Sequence, residues 1–274
     1  MKPLFSVLMS VYRNDRPVYF RSAVESVTIK QTLPPAEVLI VIDGPIPDEL
    51  RTTVAELAAE IPAIKLVWLE KNGGLGNALR IGMEAVSHEL VLRMDSDDIS
   101  MPDRFEKQIA YLQAHPECDL LGGQITEFID RESNIVGLRK VACDHSDIIA
   151  GMNKRCPFNH VSVAMLRSRV LAVGNYQDWY FNEDYYLWIR MAEAGCHMAN
   201  LPDVLVNVRI GKEMYARRGG WKYFKSEKGL QDYMRHHGML SYPRYIFNVL
   251  VRWVVQMMMP GWLRGFVFRK FFRQ

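Results

Sequence analysis

The sequence predicts an α/β protein with a mostly parallel central sheet flanked by helices. Three observations carry this. Short runs rich in Val, Ile and Leu recur through the first 125 residues, amphipathic helical patterns separate them, and acidic residues gather where the runs end. Near-continuous apolar strands joined by helical crossovers imply parallel neighbours covered on both faces. In such sheets ligands bind at the carboxyl ends of the strands.

Leu4–Tyr12 is the first strand. It follows a single Lys, but it is short, lacks a small-x-small cleavage site and runs into Arg13-Asn14-Asp15-Arg16, so a secretion signal is not expected. Glu37–Asp43, Ile64–Leu69 and Leu90–Asp95 are the next strands, separated by helices over Pro17–Ser26, Asp48–Ala59 and Asn77–Val86. Ser100-Met101-Pro102-Asp103 reads as a helix start, with the helix running over Pro102–His115. Leu120–Ile129 is a further strand, and His160–Leu166 alternates like one. In Asp184–Ala194 the residues Leu187, Trp188, Met191 and Ala194 share one helix face, and Gly195 is placed to end the helix.

With 274 residues, 49% hydrophobic and 24% charged, the chain can bury a core as one large domain or one domain with an appendage. Cys118, Cys143, Cys156 and Cys196 form no C-x-x-C pair, which argues against a zinc site or a disulfide framework and fits a reducing cytoplasm. The net charge of +3 hides an asymmetry: 14 Lys and Arg against 3 Asp and Glu lie from Arg209 onward, leaving 20 against 28 before it. A mildly acidic body with a strongly basic tail points to an anionic surface as the tail's partner.

Tyr245–Met259 is apolar except for Asn248, Arg252 and Gln256, whose spacing of four makes one narrow polar stripe on a helix. Pro260-Gly261 breaks it, and Trp262–Arg273 interleaves aromatic with basic residues. The longest charge-free stretch, Trp253–Leu263, falls short of the roughly 20 residues that span a bilayer. Such a segment lies in a membrane interface, or else packs on the body or on a second subunit. No nucleic-acid reader motif accompanies the charge, so no nucleic-acid partner is expected.

Asp95-Ser96-Asp97-Asp98 ends the fourth strand. Three carboxylates in four positions repel one another, and a hard cation such as Mg²⁺ or Mn²⁺ relieves that repulsion. The competing reading is an acidic loop that caps the next helix. Asp43 ends a neighbouring strand and can reach the same cleft. Asn72-Gly73-Gly74 opens a helix but is neither a P-loop nor a dinucleotide fingerprint.

Taken in order, Ser6–Tyr12, Val41-Ile42-Asp43, Asn72–Arg80, Asp95–Asp98 and Glu183-Asp184 resemble glycosyltransferase family 2, the inverting enzymes of GT-A fold, from about residue 3 to 210. Arg209–Gly220 and the basic tail resemble bacterial transferases of surface-polysaccharide assembly, of the amylovoran-biosynthesis type. The resemblance implies a Rossmann-like sheet in a catalytic domain over 1–210, with a nucleotide-binding half over 1–125 and an acceptor-binding half over 126–210. Residues 211–274 become a helical, membrane-associating extension with a basic and aromatic tail. The implied reaction moves a sugar from a nucleotide sugar to a saccharide, carried on a polyprenyl diphosphate, in exopolysaccharide or O-antigen synthesis. The enzyme would sit peripherally on the cytoplasmic face of the cell membrane.

Residue by residue, the resemblance has Tyr12 stack on the base and Asp43 hydrogen-bond its edge. An acidic acceptor suits the imide N–H of uracil, hence UDP. Val-Ile-Asp-Gly-Pro here replaces the paired acids and Gly-Ser of many relatives, but the key Asp43 stays. Asn72 and Arg80 would border the nucleotide, Asp95 the ribose, and Asp97 the Mn²⁺ or Mg²⁺ that neutralises the leaving diphosphate. Asp98 either joins the metal or caps the next helix. Glu183 and Asp184 are the catalytic pair: a helix N-terminus favours an ionised Asp184, which as general base would deprotonate the acceptor hydroxyl. His160 faces the acceptor or the diphosphate or is structural, and Arg217-Arg218 closes over the diphosphate or is a solvated charge run.

A haloacid-dehalogenase-type phosphatase also carries D-x-D after a strand, but it needs a second Gly-Asp-x-x-x-Asp motif, which is missing downstream. A sugar-phosphate nucleotidyltransferase would need a Gly-rich N-terminal triphosphate loop, also missing. A non-catalytic scaffold of polysaccharide assembly would have no use for the acidic set.

Overall fold

A computed structural model describes residues 4–211 and 219–259. Nine strands among the described residues form one mixed sheet: β1 (Phe5–Val11), β2 (Glu37–Ile42), β3 (Ile64–Trp68), β4 (Leu90–Arg93), β5 (Ile99–Ser100), β6 (Cys118–Phe128), β7 (Ile135–Arg139), β8 (Ala164–Leu166) and β9 (His197–Arg209). Their spatial order is β3-β2-β1-β4-β8-β6-β9-β5, with β7 beside β6. The first half is the parallel array β3-β2-β1-β4. β8 runs antiparallel between β4 and β6, and the long β6–β9 pair is again parallel.

The helices are α1 (Pro17–Ser26), α2 (Asp48–Glu60), α3 (Leu75–Ala85), α4 (Arg104–Ala114), α5 (His145–Met152), α6 (Arg167–Ala172), α7 (Glu183–Glu193), α8 (Trp221–His236) and α9 (Tyr242–Trp253). Period-two alternation sorts the strand residues between two cores. Phe5, Val7, Met9 and Val11 of β1 and Val38, Ile40 and Ile42 of β2 face Phe20, Leu50, Val54 and Phe105 of α1, α2 and α4. Leu8, Leu39 and Val41 face the opposite way, onto Leu79, Met83, Ile148 and Trp188 of α3, α5 and α7. Each fully buried side chain of this size contributes about 1.5–3 kcal/mol, so the alternation fixes the register against a one-residue slip.

Glu37 staples the amino ends of the array. It is 1% exposed and accepts Ser6 Oγ at 2.5 Å, Ser87 N–H at 2.8 Å, Ser87 Oγ at 2.7 Å and the Lys65 ammonium at 2.8 Å. These contacts outweigh the cost of burial and hold its carboxyl down at about 2.

Two expectations change in detail. Ser100 belongs to β5, and α4 starts only at Arg104 with Asp103 at its N-cap. His160–Leu166 divides into a 3-10 turn over His160–Ser162 and the short β8. Beyond residue 210, Leu230 and Met234 of α8 sit in the second core. α9 follows, and one π-turn (Val254–Met258) extends it. No helix among the described residues is long and apolar enough to cross a membrane.

Candidate active site

Parallel register brings three chain reversals to one edge of the sheet. Val11 of β1 is aligned with Ile42 of β2, and Leu8 of β1 with Arg93 of β4. Tyr12, Asp43 and Asp95–Asp98 therefore leave adjacent strand ends on the same side.

Asp43 is 3% exposed, and its carboxylate organises the glycine loop that leads into α3. Oδ1 accepts Gly73 N–H at 2.7 Å; Oδ2 accepts Gly74 N–H at 3.0 Å and Asn72 Nδ2 at 2.9 Å. Asn72 Nδ2 also donates to the Asp43 carbonyl at 3.0 Å. A carboxylate offers about four acceptor sites, and three are taken by donors among the described residues. Gly44 has φ +83°, and a Cβ there would lie 2.4 Å from Asn72 N, which makes glycine obligatory where the two loops touch. Asn72 is thus a support of the loop. Arg80, further along α3, pairs with Glu84 at 3.1 Å and donates to Asn77 Oδ1 at 3.1 Å.

The acidic turn after β4 is crowded. Arg93, buried at the strand end, forms an ion pair with Asp95, while its Nε and Nη1 have no hydrogen-bond partner among the described residues. Burial first, then the charge of Asp95, pushes the Asp97 carboxyl up to about 6. Asp98 is raised well above its ordinary value by burial and then by Asp97 and Asp95. Its Oδ1 accepts Arg209 N–H at 2.7 Å from the end of β9, so it ties the turn to β9 and does not cap α4.

Two members of this site were missed in the sequence. Asp15 accepts Tyr12 N–H at 2.8 Å and bonds Ser96; burial, and secondarily Asp97 and Asp95, lift its carboxyl to about 7. Arg209 donates from Nε to the Asp97 carbonyl at 3.1 Å and from Nη1 to the Asp130 carbonyl at 3.0 Å, with its guanidinium over the Tyr19 ring. An acid three residues past a strand-end Tyr, and a base at the end of a strand, were the available signals.

Glu183 is the first residue of α7, after Asn182 at the N-cap, and Asp184 follows. Burial and then the charge of Asp184 raise the Glu183 carboxyl to about 7. A Cβ on Gly76 would lie 3.3 Å from Glu183 Cβ, so the amino ends of α3 and α7 abut. The loop that Asp43 holds therefore leads directly to the Glu183–Asp184 pair. Burial first, and secondarily the charges of Asp184, Glu183 and Asp95, push the buried Tyr176 phenol up against the opposing pull of Arg93. His160 Nε2 lies 2.9 Å from Tyr176 Oη; burial and then Arg93 hold the imidazole well below its ordinary range, so it is neutral. Arg217 and Arg218 lie outside the described residues.

The donor set suits a hard divalent cation. Burial, and secondarily mutual repulsion, pushes these carboxyls toward protonation, and a cation beside them would favour their charged forms. No three acidic, His or Cys side chains among the described residues make a complete metal cage.

Residues 6–174 match the protein-family model described as "Glycosyl transferase family 2". The chain is 38% identical over 267 residues to the amylovoran biosynthesis glycosyltransferase AmsE of Erwinia amylovora, covering 97% of this chain and 98% of that protein. It is 35% identical over 272 residues to the UDP-Gal:alpha-D-GlcNAc-diphosphoundecaprenol beta-1,3-galactosyltransferase of Escherichia coli, covering 99% and 98%. Among solved structures, the mannosyltransferase PcManGT of Pyrobaculum calidifontis, in complex with GDP-Man and Mn²⁺, superposes with a TM-score of 0.67 at 16% identity, covering 94% of this chain and 71% of that one.

Proposed function

From the premise that the chain belongs to glycosyltransferase family 2 and has its GT-A fold, we propose an inverting, metal-dependent transfer of a sugar from UDP to a polyprenyl-diphosphate-linked saccharide. Galactose is the first sugar to test, because the E. coli relative is named for UDP-Gal and a GlcNAc-diphosphoundecaprenol acceptor. The carrying observation is geometric: the loop that Asp43 holds runs into the amino end of α3, which abuts Glu183 at the amino end of α7, and the acidic turn leaves a strand end of the same parallel array. Bacterial surface-polysaccharide synthesis is the setting that the AmsE likeness supports.

Tyr12, half exposed at the end of β1, offers a ring to the base, and the Asp43 carboxylate suits the uracil imide as an acceptor. Asp95 is assigned to the ribose. The acceptor hydroxyl gives its proton to Asp184 as its oxygen attacks the anomeric carbon. The bond from that carbon to the diphosphate breaks, and its electron pair leaves on UDP. One in-line displacement converts an α-linked donor into a β-linked product. Asp97 and Asp98 would hold the Mn²⁺ or Mg²⁺, which would supply Lewis-acid neutralisation of the leaving diphosphate.

The membrane is the second partner. Phe247, Leu250, Val251 and Trp253 form an exposed apolar face on α9, and the basic and aromatic tail follows it in the sequence. That combination supports peripheral seating on an anionic bilayer surface, where a lipid-linked acceptor resides.

The test is incubation with a panel of sugar nucleotides and Mn²⁺, with and without a synthetic GlcNAc-diphosphate lipid. Nucleotide release should require both cation and acceptor, and NMR should read a β-linkage. No release under any combination overturns the transferase reading; a retained α-linkage overturns the in-line step.

A further inference from the structure

α9 is amphipathic in the reverse sense for a helix packed on a protein body. Asn248 and Arg252, with Gln256 of the following π-turn, are 3%, 9% and 8% exposed, whereas Phe247 and Leu250 are 56% and 57% exposed. Polar bonds therefore hold the helix in place, and each of them has an identifiable destination. Arg252 Nε meets Glu227 Oε2 of α8 at 2.7 Å, and its Nη2 donates to the Lys154 carbonyl at 3.1 Å. Asn248 Nδ2 donates to Gln231 Oε1 of α8 and to the Asn153 carbonyl, both at 2.9 Å.

Two arms run from this seam to the start of α7. On α8, Ser226 precedes Glu227. Its Oγ donates to the Tyr180 carbonyl at 2.7 Å and accepts Asn182 Nδ2 at 2.9 Å, and its carbonyl accepts Trp179 Nε1 at 3.1 Å. Asn182 is the N-cap of α7, and Glu183 and Asp184 come next. Phe181 inside this turn has φ +56°, a conformation that a bulky side chain adopts only when its surroundings impose it. On the other arm, Asn153 and Lys154 lead to Cys156, whose Sγ lies 3.8 Å from Asp184 Oδ2.

We propose that Arg252 and Asn248 are positioning residues for the transfer step. The polar stripe of α9 fixes segment 153–156 and turn 179–182, and these together set where the carboxylate of Asp184 stands. The helix that offers its apolar face to the bilayer thereby also holds the base. This inference rests on Asp184 being the base.

The experiment uses the full chain carrying Arg252→Met with Glu227→Gln, so that no charge is left unpaired. Amide hydrogen exchange needs neither donor nor acceptor: segments 153–156 and 179–184 should exchange faster while β1–β4 keep their protection. Turnover should fall at least about tenfold, as expected for a displaced catalytic group, with UDP·Mn²⁺ affinity within about twofold. Arg252→Lys, which keeps the pair with Glu227, should recover most of the loss. Unchanged exchange in both segments overturns the proposal, as does a joint fall in turnover and UDP affinity. If the double variant does not fold, Asn248→Ala makes a smaller cut and the same readouts decide. Asp184→Asn is measured alongside. Near-normal turnover there removes the base assignment, while an inactive Asp184→Asn beside a fully active double variant removes only the role of the stripe.

Discussion

Asp43→Asn tests how the nucleotide side is built. The carboxylate accepts three donors from the loop: Gly73 N–H on one oxygen, Gly74 N–H and Asn72 Nδ2 on the other. An amide has one accepting oxygen. In its better orientation it keeps Asn72 and Gly74 and turns its own NH₂ toward Gly73 N–H, which sits 2.7 Å from Oδ1 in the native chain. A buried donor left facing a donor costs about 1–3 kcal/mol, and the two surviving bonds lose their charge assistance. The sum is about 2–4 kcal/mol, which for a chain of this size lowers the melting midpoint by roughly 5–10 °C. Releasing the loop should also weaken UDP binding at least about tenfold, or 1.4 kcal/mol. Thermal melts and UDP titration in Mn²⁺ provide both readings. A variant that melts within about 1 °C of the native chain refutes the bond count. Normal melting with lost UDP binding would mean that the carboxylate serves the ligand and not the loop.

Asp184→Asn should cut turnover by on the order of 10²- to 10⁴-fold while UDP binding survives; near-normal turnover in a steady-state assay would transfer the role to another group. Glu37→Gln should destabilise the fold with a definite pH signature. The folded carboxyl sits at about 2, below its ordinary 4.5, so its contribution of about 3 kcal/mol is present above about pH 4.5 and lost as pH falls toward 2. Urea unfolding at pH 7 and pH 3 should show the gap between variant and native chain shrinking; a constant gap contradicts the linkage. Phe247→Glu with Leu250→Glu should abolish co-sedimentation with anionic vesicles and leave the melting midpoint unchanged, since both side chains are more than half exposed. Persistent co-sedimentation would remove the α9 face from the membrane contact. Truncation from residue 245 is a poorer probe, because it also removes the buried bonds of Asn248 and Arg252.

The parallel half of the sheet was legible because its strands are continuous apolar runs and its helices carry a 3.6-residue pattern. All four strands and the three helices between them agree with the structure to within two residues at each end. β9 escaped notice for a physical reason: Pro202 and three register shifts against β6 break its alternation. β5 is two residues long, and it hides in a segment that also resembles a helix start. The gathering of Tyr12, Asp43 and the acidic turn follows from strand order and could be read from the sequence. Asp15 and Arg209 left only faint signals, because their part in the site comes from contacts with Ser96, Asp97 and Asp98 that the tertiary fold creates. The polar stripe on the last helix was plain in the spacing of Asn248, Arg252 and Gln256. That it faces inward depends on Glu227, Gln231 and the carbonyls at 153 and 154, which periodicity does not reveal.

The bond from Arg209 N–H to Asp98 has a consequence for how the molecule is made. Its ends are 111 residues apart, and a ribosome needs roughly 5–20 s to synthesise the intervening chain. Over most of that interval β4 also waits for β8, its antiparallel partner, and presents a bare edge on which another nascent chain can pair. β9, which completes the acidic turn, is the last of these strands to be made, and until then the edge of β6 that it covers is bare as well. A substitution that weakens β9 should first appear as lower soluble yield, with the protein that escapes aggregation turning over at close to the native rate.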